Sequence, residues 1–319
     1  MLALCLLALL GFAPGVPQDH APRQASTVRI VAVGDICLAG GVDRKMRARG
    51  RGYPFAAMRD TLRSADIAFG NLECVLANGG DPVPKKYNFR GRPIGAMALA
   101  EAGFDIVSVA NNHTLDYGRE GLAETLTHLR RAKVIPVGAG NTLAEAHRMQ
   151  VLRSNGLRIG FLAYLGMFPP LLPPATDKPS VAMAYLPRLR AEIRSARRRV
   201  DFLVISLHAG VEHAPSPSAR QQAIARAAIE AGADVVVGHH PHVVQQLAFY
   251  RGKPIFYSLG NFVFNPSQAF LRNPKGRWSA LGVIELTPGT RPRAQLMDLH
   301  LIDAQPRPAH RPARRTQGD

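Results

Sequence analysis

Cysteine is scarce in this chain, with three among 319 residues at Cys5, Cys37 and Cys74. Setting Cys5 aside with the leading segment leaves two. That is too few for a disulfide framework and enough for one bridge in an oxidising compartment. Lysine is scarce too: seven of the 40 basic residues are Lys and the rest are Arg. With 23 acidic residues the formal net charge is +17 and the pI about 10.7. Such a balance suits an anionic polymer, a membrane surface or nucleic acid, or simply reflects Arg-rich coding. Few aromatics sit among the basic residues, and no nucleic-acid module is recognisable, so nucleic acid is not an expected partner. Long apolar runs are also missing. The run over residues 1–17 is Leu/Ala-rich, closes in Gly and Pro, and is too short for a confident membrane span. It reads as the apolar part of a secretory signal, with a short membrane anchor as the alternative and a buried N-terminal helix as the plain structural one. Export to a periplasmic or other extracytoplasmic location is therefore expected. No internal repeat is visible.

What remains is globular in composition, 46% hydrophobic and 20% charged. Residues 1–27 are set apart as leader and linker, 28–304 as one domain, and 305–319, rich in Arg and Pro, as a disordered tail. Five short apolar runs, at 28–33, 66–69, 105–110, 201–207 and 234–237, each end in polar residues. They read as buried strands that deliver Asp35, Glu73, Asn112 with His113, His208, and His239 with His240 just past their C-terminal ends. Helical spacing fills residues 94–102, 118–131, 187–199 and 218–231, with Pro187 and Ser218 as start signals and Gly232 as a stop. The alternation predicts an α/β fold with ligands beyond the strand ends. Asn155-Gly156 and Arg251-Gly252 mark hairpins. The segments 280–286 and 294–302 read as two further strands, so the sheets are mixed. Residues 167–187 read as a long surface loop.

Carboxylate, amide oxygen and imidazole are ligands for a borderline divalent metal such as Zn, Mn or Fe. Taken singly, each residue has a bland reading: a turn for Asp35 and His113, a solvated carboxylate for Glu73, a core histidine for His208. The run Gly238-His239-His240-Pro241-His242 is harder to explain by packing. On an extended segment His240 and His242 would face the same side.

The segments GD at 34–35, GNLE at 70–73, NNHTLDYG at 111–118, SLHAGVEH at 206–213, GHHPHVVQ at 238–245 and YSLGNFVF at 257–264 occur in one order. Together they resemble the CapA family of poly-gamma-glutamate capsule biosynthesis proteins over about residues 28–265. That family is similar in fold to calcineurin-type metallophosphatases. The resemblance implies a four-layer αββα sandwich, two mixed sheets flanked by helices, with two divalent metal ions at the strand ends. By the same resemblance Asp35, Glu73, Asn112, His208, His240 and His242 are metal ligands. By that resemblance too, His113 faces the substrate. Asp116, Glu212 and Asn261 match CapA motifs but have no metallophosphatase counterpart; Asp116 is expected beside His113 as a catalytic residue, and Glu212, Asn261 and His239 are expected to contact the substrate or support the ligands. The chain departs from the metallophosphatase pattern in two places. Asp35-Ile36-Cys37 stands for Asp-x-His, and Glu73 stands for a bridging Asp.

Two functions follow. One is a metal-dependent hydrolase acting on a phosphoester or an amide. The other is a non-catalytic accessory protein that binds metal or an anionic polymer such as poly-gamma-glutamate beside membrane proteins of the envelope. An amidohydrolase-type barrel also uses His-x-His, but after its first strand, whereas here the pair comes near residue 240.

Overall fold

The structure is a computed structural model describing residues 26–167, 172–265 and 277–309. The expected leader over residues 1–27 and the tail beyond 309 lie almost wholly outside the described residues. The first strand, β1 (Val28–Ile36), carries the sequence VRIVAVGDI and is buried at all but one position. β-branched Val28, Ile30, Val31, Val33 and Ile36 suit a strand covered on both faces. Parallel to it run β2 (Ile67–Leu72), β3 (Ile106–Ser108) and β4 (Ile135–Val137). The second sheet is built from β5 (Gln150–Ser154), β6 (Leu157–Leu165), β7 (Phe202–His208), β8 (Val235–His239), β9 (Leu247–Tyr250) and β10 (Lys253–Phe256). The chain then returns to the first sheet with β11 (Asn261–Val263), β12 (Trp278–Leu286), β13 (Arg293–Ile302) and β14 (Gln305–Pro308).

The first sheet has the order β14-β13-β12-β1-β2-β3-β4, with β11 pairing the end of β1. The second has the order β9-β10-β8-β7-β6-β5. Both are mixed: β1–β12 and β5–β6 are antiparallel, whereas the strands ending at the polar residues are parallel. The sheets meet face to face, and Phe69 of β2 stacks on Phe161 of β6 with centroids 5.7 Å apart. Helices cover the outer faces. The helix Gly118–Arg131 buries Leu122, Leu126 and Leu129, an i, i+4, i+7 stripe, each Leu worth roughly 1.5–3 kcal/mol. Leu186–Arg197 and Ala219–Ala231 pack Leu189, Ile193, Ile224 and Ala228 against Ile205, Leu207 and Val236. This is the expected layered sandwich.

Local signals account for most boundaries. The Ser218 hydroxyl accepts from the Gln221 N–H at 3.2 Å, and Gly232 closes that helix at φ 121°. Asn155 and Gly156 both have positive φ, as the type I′ hairpin turn joining β5 to β6 requires. Two expectations need correction. The tail expected to be disordered from residue 305 instead begins with β14, which pairs with β13 from Leu299↔Pro308 to Ile302↔Gln305. Proline tolerates this position because β14 is an edge strand. The loop expected over 167–187 holds a short strand, Ser180–Val181, paired with Ala139–Gly140, and Val181 to Ala184 are buried. Residues 168–171 of that loop lie outside the described residues.

Candidate metal centre

Strand register assembles the centre. Asp35 on β1 pairs with Asn71 on β2 and with Asn261 on β11, so three polar residues stand side by side where apolar pairing ends. On the other sheet His208 pairs with His239. Residues 204 and 235, aligned four pairs earlier along these strands, belong to the core between the sheets. Alternation therefore aims His208 and His239 into that same space. Asp35, Glu73, His208 and His239 are at most 1% exposed, and His240 and His242 are buried as well.

Glu73 is the most exacting member. Its side chain is fully buried, and neither carboxylate oxygen has a hydrogen-bond partner among the described residues. A buried carboxylate without donors is costly unless a cation neutralises it. Its Oε1 lies 3.6 Å from His208 Nε2 and 3.8 Å from His242 Nε2. Glu73, His240 and His242 each offer one donor atom within 4.8 Å of the others. His208 Nε2 is also 2.8 Å from Asn112 Oδ1. Two atoms bound to one ion at about 2.0–2.2 Å stand roughly 3–3.5 Å apart, so these donors fit a divalent metal.

Asp35 is held from several sides. Asn71 Nδ2 donates to its Oδ1 at 2.9 Å and the His240 backbone N–H to its Oδ2 at 3.3 Å. Burial raises its pKa, but His239 and His242 outweigh that and hold it well below the usual range. Burial opposes charge on His242 as well, yet Glu73 and Asp35 push it to about 10. Burial, with Asp35 beside it, drives Glu73 well above the usual carboxylate value. The trio therefore retains a proton at neutral pH, in the place a cation would take. His208 is held well below its ordinary value by burial, and His240 is lowered to about 4 by burial and by charge on His242. Both are neutral imidazoles, the form that binds metal.

The loop after β8 is not extended as expected. His240 and His242 have φ of 100° and 58°, left-handed conformations that cost of order 1–3 kcal/mol each and cluster at functional sites. The turn brings their ring centroids to 6.0 Å, and those of His208 and His240 to 4.9 Å. Asn261 Oδ1 lies 2.9 Å from His242 Nδ1, which orients the ring and leaves Nε2 toward Glu73.

At the rim His113 Nδ1 lies 2.7 Å from Asp116 Oδ2, and Phe89 stacks on its ring at 4.3 Å. Asp116 is fully buried, ion-paired to Lys85 and bonded by the Phe89 N–H. Burial lowers the His113 pKa despite Asp116. Glu212 is exposed after β7 and reaches the centre only through its charge. His239, expected at the substrate or behind a ligand, is buried with its Nδ1 3.5 Å from Asp35 Oδ1. Cys37 is a buried thiol whose pKa is raised by burial and by Cys74, and both cysteines are free. Sequence reasoning missed Asn71, Asn111 and Lys85. Asn111 Nδ2 donates to Asn71 Oδ1 at 3.1 Å, and its own Oδ1 accepts from the His113 N–H at 3.0 Å. Both Asn residues lie within motifs already noted, but nothing in the sequence signals Lys85, which donates to the Asn112 carbonyl at 2.9 Å.

Similar proteins agree with this architecture. Capsule biosynthesis protein CapA of Bacillus anthracis is 31% identical over 257 residues, 78% of this chain and 62% of that protein. PGA biosynthesis protein CapA of Bacillus subtilis (strain 168) is 30% identical over 279 residues, 86% of this chain and 72% of that protein. The chain thus spans less than two thirds of the Bacillus anthracis relative. A solved 5'-nucleotidase precursor from Thermus thermophilus superimposes with a TM-score of 0.51 at 12% identity, over 88% of this chain and 56% of that one. At that identity the likeness speaks for the fold alone, and the fold is metallophosphatase-like. The family model for bacterial capsule synthesis protein PGA_cap matches residues 29–266, and the chain belongs to that family.

Proposed function

We propose that this chain serves poly-gamma-glutamate capsule synthesis as an exported, metal-dependent hydrolase or transferase of the cell envelope. The observation that carries the metal-dependent part is Glu73, a fully buried carboxylate with no hydrogen-bond donor among the described residues, at the meeting point of His208, His240 and His242. The capsule part rests on family membership and on the two CapA relatives.

In this reading Asp35, Glu73, Asn112, His208, His240 and His242 would hold two divalent ions, of Mn, Zn or Fe. When bound, such a pair polarises a phosphoryl or carbonyl oxygen and supplies a water nucleophile at neutral pH. The protein's own residues do the rest. Asp35, held ionised, and Glu73, once a bound cation offsets its burial, would present negative charge that cannot rotate away. Asp116 accepts a hydrogen bond from the Nδ1–H of His113, so Nε2 carries the lone pair at neutral pH. That atom accepts a proton and returns it to the leaving group. Lys85 anchors Asp116, and Phe89 fixes the ring plane. The basic balance of +17 favours an anionic substrate. It also supports a second reading, in which the centre binds polymer without turnover beside envelope membrane proteins.

Metal analysis and an assay separate the two. The full chain reconstituted with Zn or Mn is expected to hold two equivalents, and the His240→Ala/His242→Ala variant to lose them. Turnover of a phosphodiester or gamma-glutamyl amide should vanish in Asp35→Ala. Polyglutamate binding with metal but no turnover would favour the accessory reading. No metal in the parent would sink the hydrolase.

A further inference from the structure

We propose that His239 is an additional metal ligand, supplying to Asp35's side of the centre the imidazole that β1 lacks. The inference rests on the two-metal reading above. In Asp35-Ile36-Cys37 a thiol stands where the metallophosphatase pattern has histidine. Cys37 is turned into the core beside Cys74, whose sulfur accepts from the Leu38 N–H at 3.3 Å. A thiol packed there is a small apolar residue more than a ligand.

His239 occupies the space from the opposite sheet. It ends β8 with its side chain on the same face as His208. Both ring nitrogens are buried without a hydrogen-bond partner among the described residues, and the side chain is fully buried. Native proteins rarely leave an imidazole in that condition. Nδ1 lies 3.5 Å from Asp35 Oδ1. A charge-assisted hydrogen bond between imidazolium and carboxylate would close to about 2.7–2.9 Å. The observed spacing is that of two donors on one ion, about 3–3.5 Å. Nε2 has no acceptor in either arrangement and does not discriminate between them.

The test compares the full-length parent with His239→Gln, which keeps a hydrogen-bond donor near Asp35 but no imidazole, and with Cys37→Ser. Each is stripped with chelator, reloaded with Zn, and analysed for stoichiometry and for affinity by competition. The expected result is two equivalents in the parent and in Cys37→Ser. In His239→Gln one of the two should weaken about tenfold or more. Equal stoichiometry and affinity in His239→Gln and parent would overturn the inference. So would a cobalt-loaded parent whose thiolate charge-transfer band disappears in Cys37→Ser, since the thiol would then hold the position. A parent that binds no metal would remove the two-metal reading and this inference together. If His239→Gln does not fold, cadmium-loaded parent with nitrogen-15 histidine answers the question without substitution. Coupling from cadmium to His239, besides His208, His240 and His242, supports ligation, and its absence with the other three present refutes it.

Discussion

At the scale of single residues, the centre stores opposed titrations. A free imidazole protonates near pH 6.5, but folded His240 does so only at about 4, and His208 is lowered in the same direction. Between those values the unfolded chain binds more protons, so stability falls as the pH drops from about 6.5 toward about 4. Asp35, with its lowered pKa, adds to that loss at the acid end. His242 runs the other way. Its folded pKa is raised to about 10, so its contribution is complete below about 6.5 and is lost as the pH rises through about 10. Glu73, raised well above its usual value, loses stability in the same alkaline direction. The metal-free protein is therefore expected to have its highest melting temperature near neutrality and to weaken on both sides. A melting temperature flat from about pH 5 to about pH 9 would contradict these shifts. Metal binding should also release protons from the Asp35–Glu73–His242 trio. Titration calorimetry in buffers of differing ionisation enthalpy reads that release directly.

At the scale of elements, two glycines set how closely strands approach the centre. A Cβ on Gly34 would lie 1.8 Å from the Gly260 carbonyl oxygen, and one on Gly238 would lie 2.1 Å from that of Tyr257. Neither backbone can retreat without moving Asp35 or the histidine loop. Gly34→Ala and Gly238→Ala should each cost on the order of 3 kcal/mol or more in urea denaturation. Gly156→Ala, at φ 79° in open space, should cost about 1 kcal/mol. Equal losses at all three positions would show that close approach is not the cause. Element boundaries were legible where local chemistry decides them. The helices Ile94–Ala102 and Gly118–Arg131 match their expected bounds, because the first stops at Gly103 and the second carries its apolar stripe to the last turn. β14 was not legible, because its Pro and Arg residues have no strand propensity and pair only at an edge that β13 provides. The strand ends revealed Asp35, Glu73 and His208, because an apolar run that stops on a polar residue is visible in one dimension. The roles of Asn71, Asn111, Lys85 and His239 depend on neighbours about 25 to 200 residues away, and spacing cannot encode them.

At the scale of the molecule, the centre joins the two sheets. Asp35, Glu73 and Asn112 come from the first sheet, and His208, His240 and His242 from the second. A bound ion would tie the sandwich together at one end. Free metal at about 1,000 times its dissociation constant adds about 4 kcal/mol to the folded state. Chelation should therefore lower the melting temperature by several degrees in the parent and by almost nothing in His240→Ala/His242→Ala. An equal fall in both would mean that the chelator acts elsewhere. The topology carries one more consequence. β1 is flanked on one side by β2, close by in sequence, but on the other by β12, with Val28 facing Leu286. The first strand made thus waits for one of the last before its edge is covered. Synthesis can complete the second sheet, with its histidines, while Asp35 still sits on a half-paired ribbon. In the reading proposed above, in which the chain is exported and binds metal, the centre would close only after β12 has paired, and the ion installed would be the one on offer where that pairing happens.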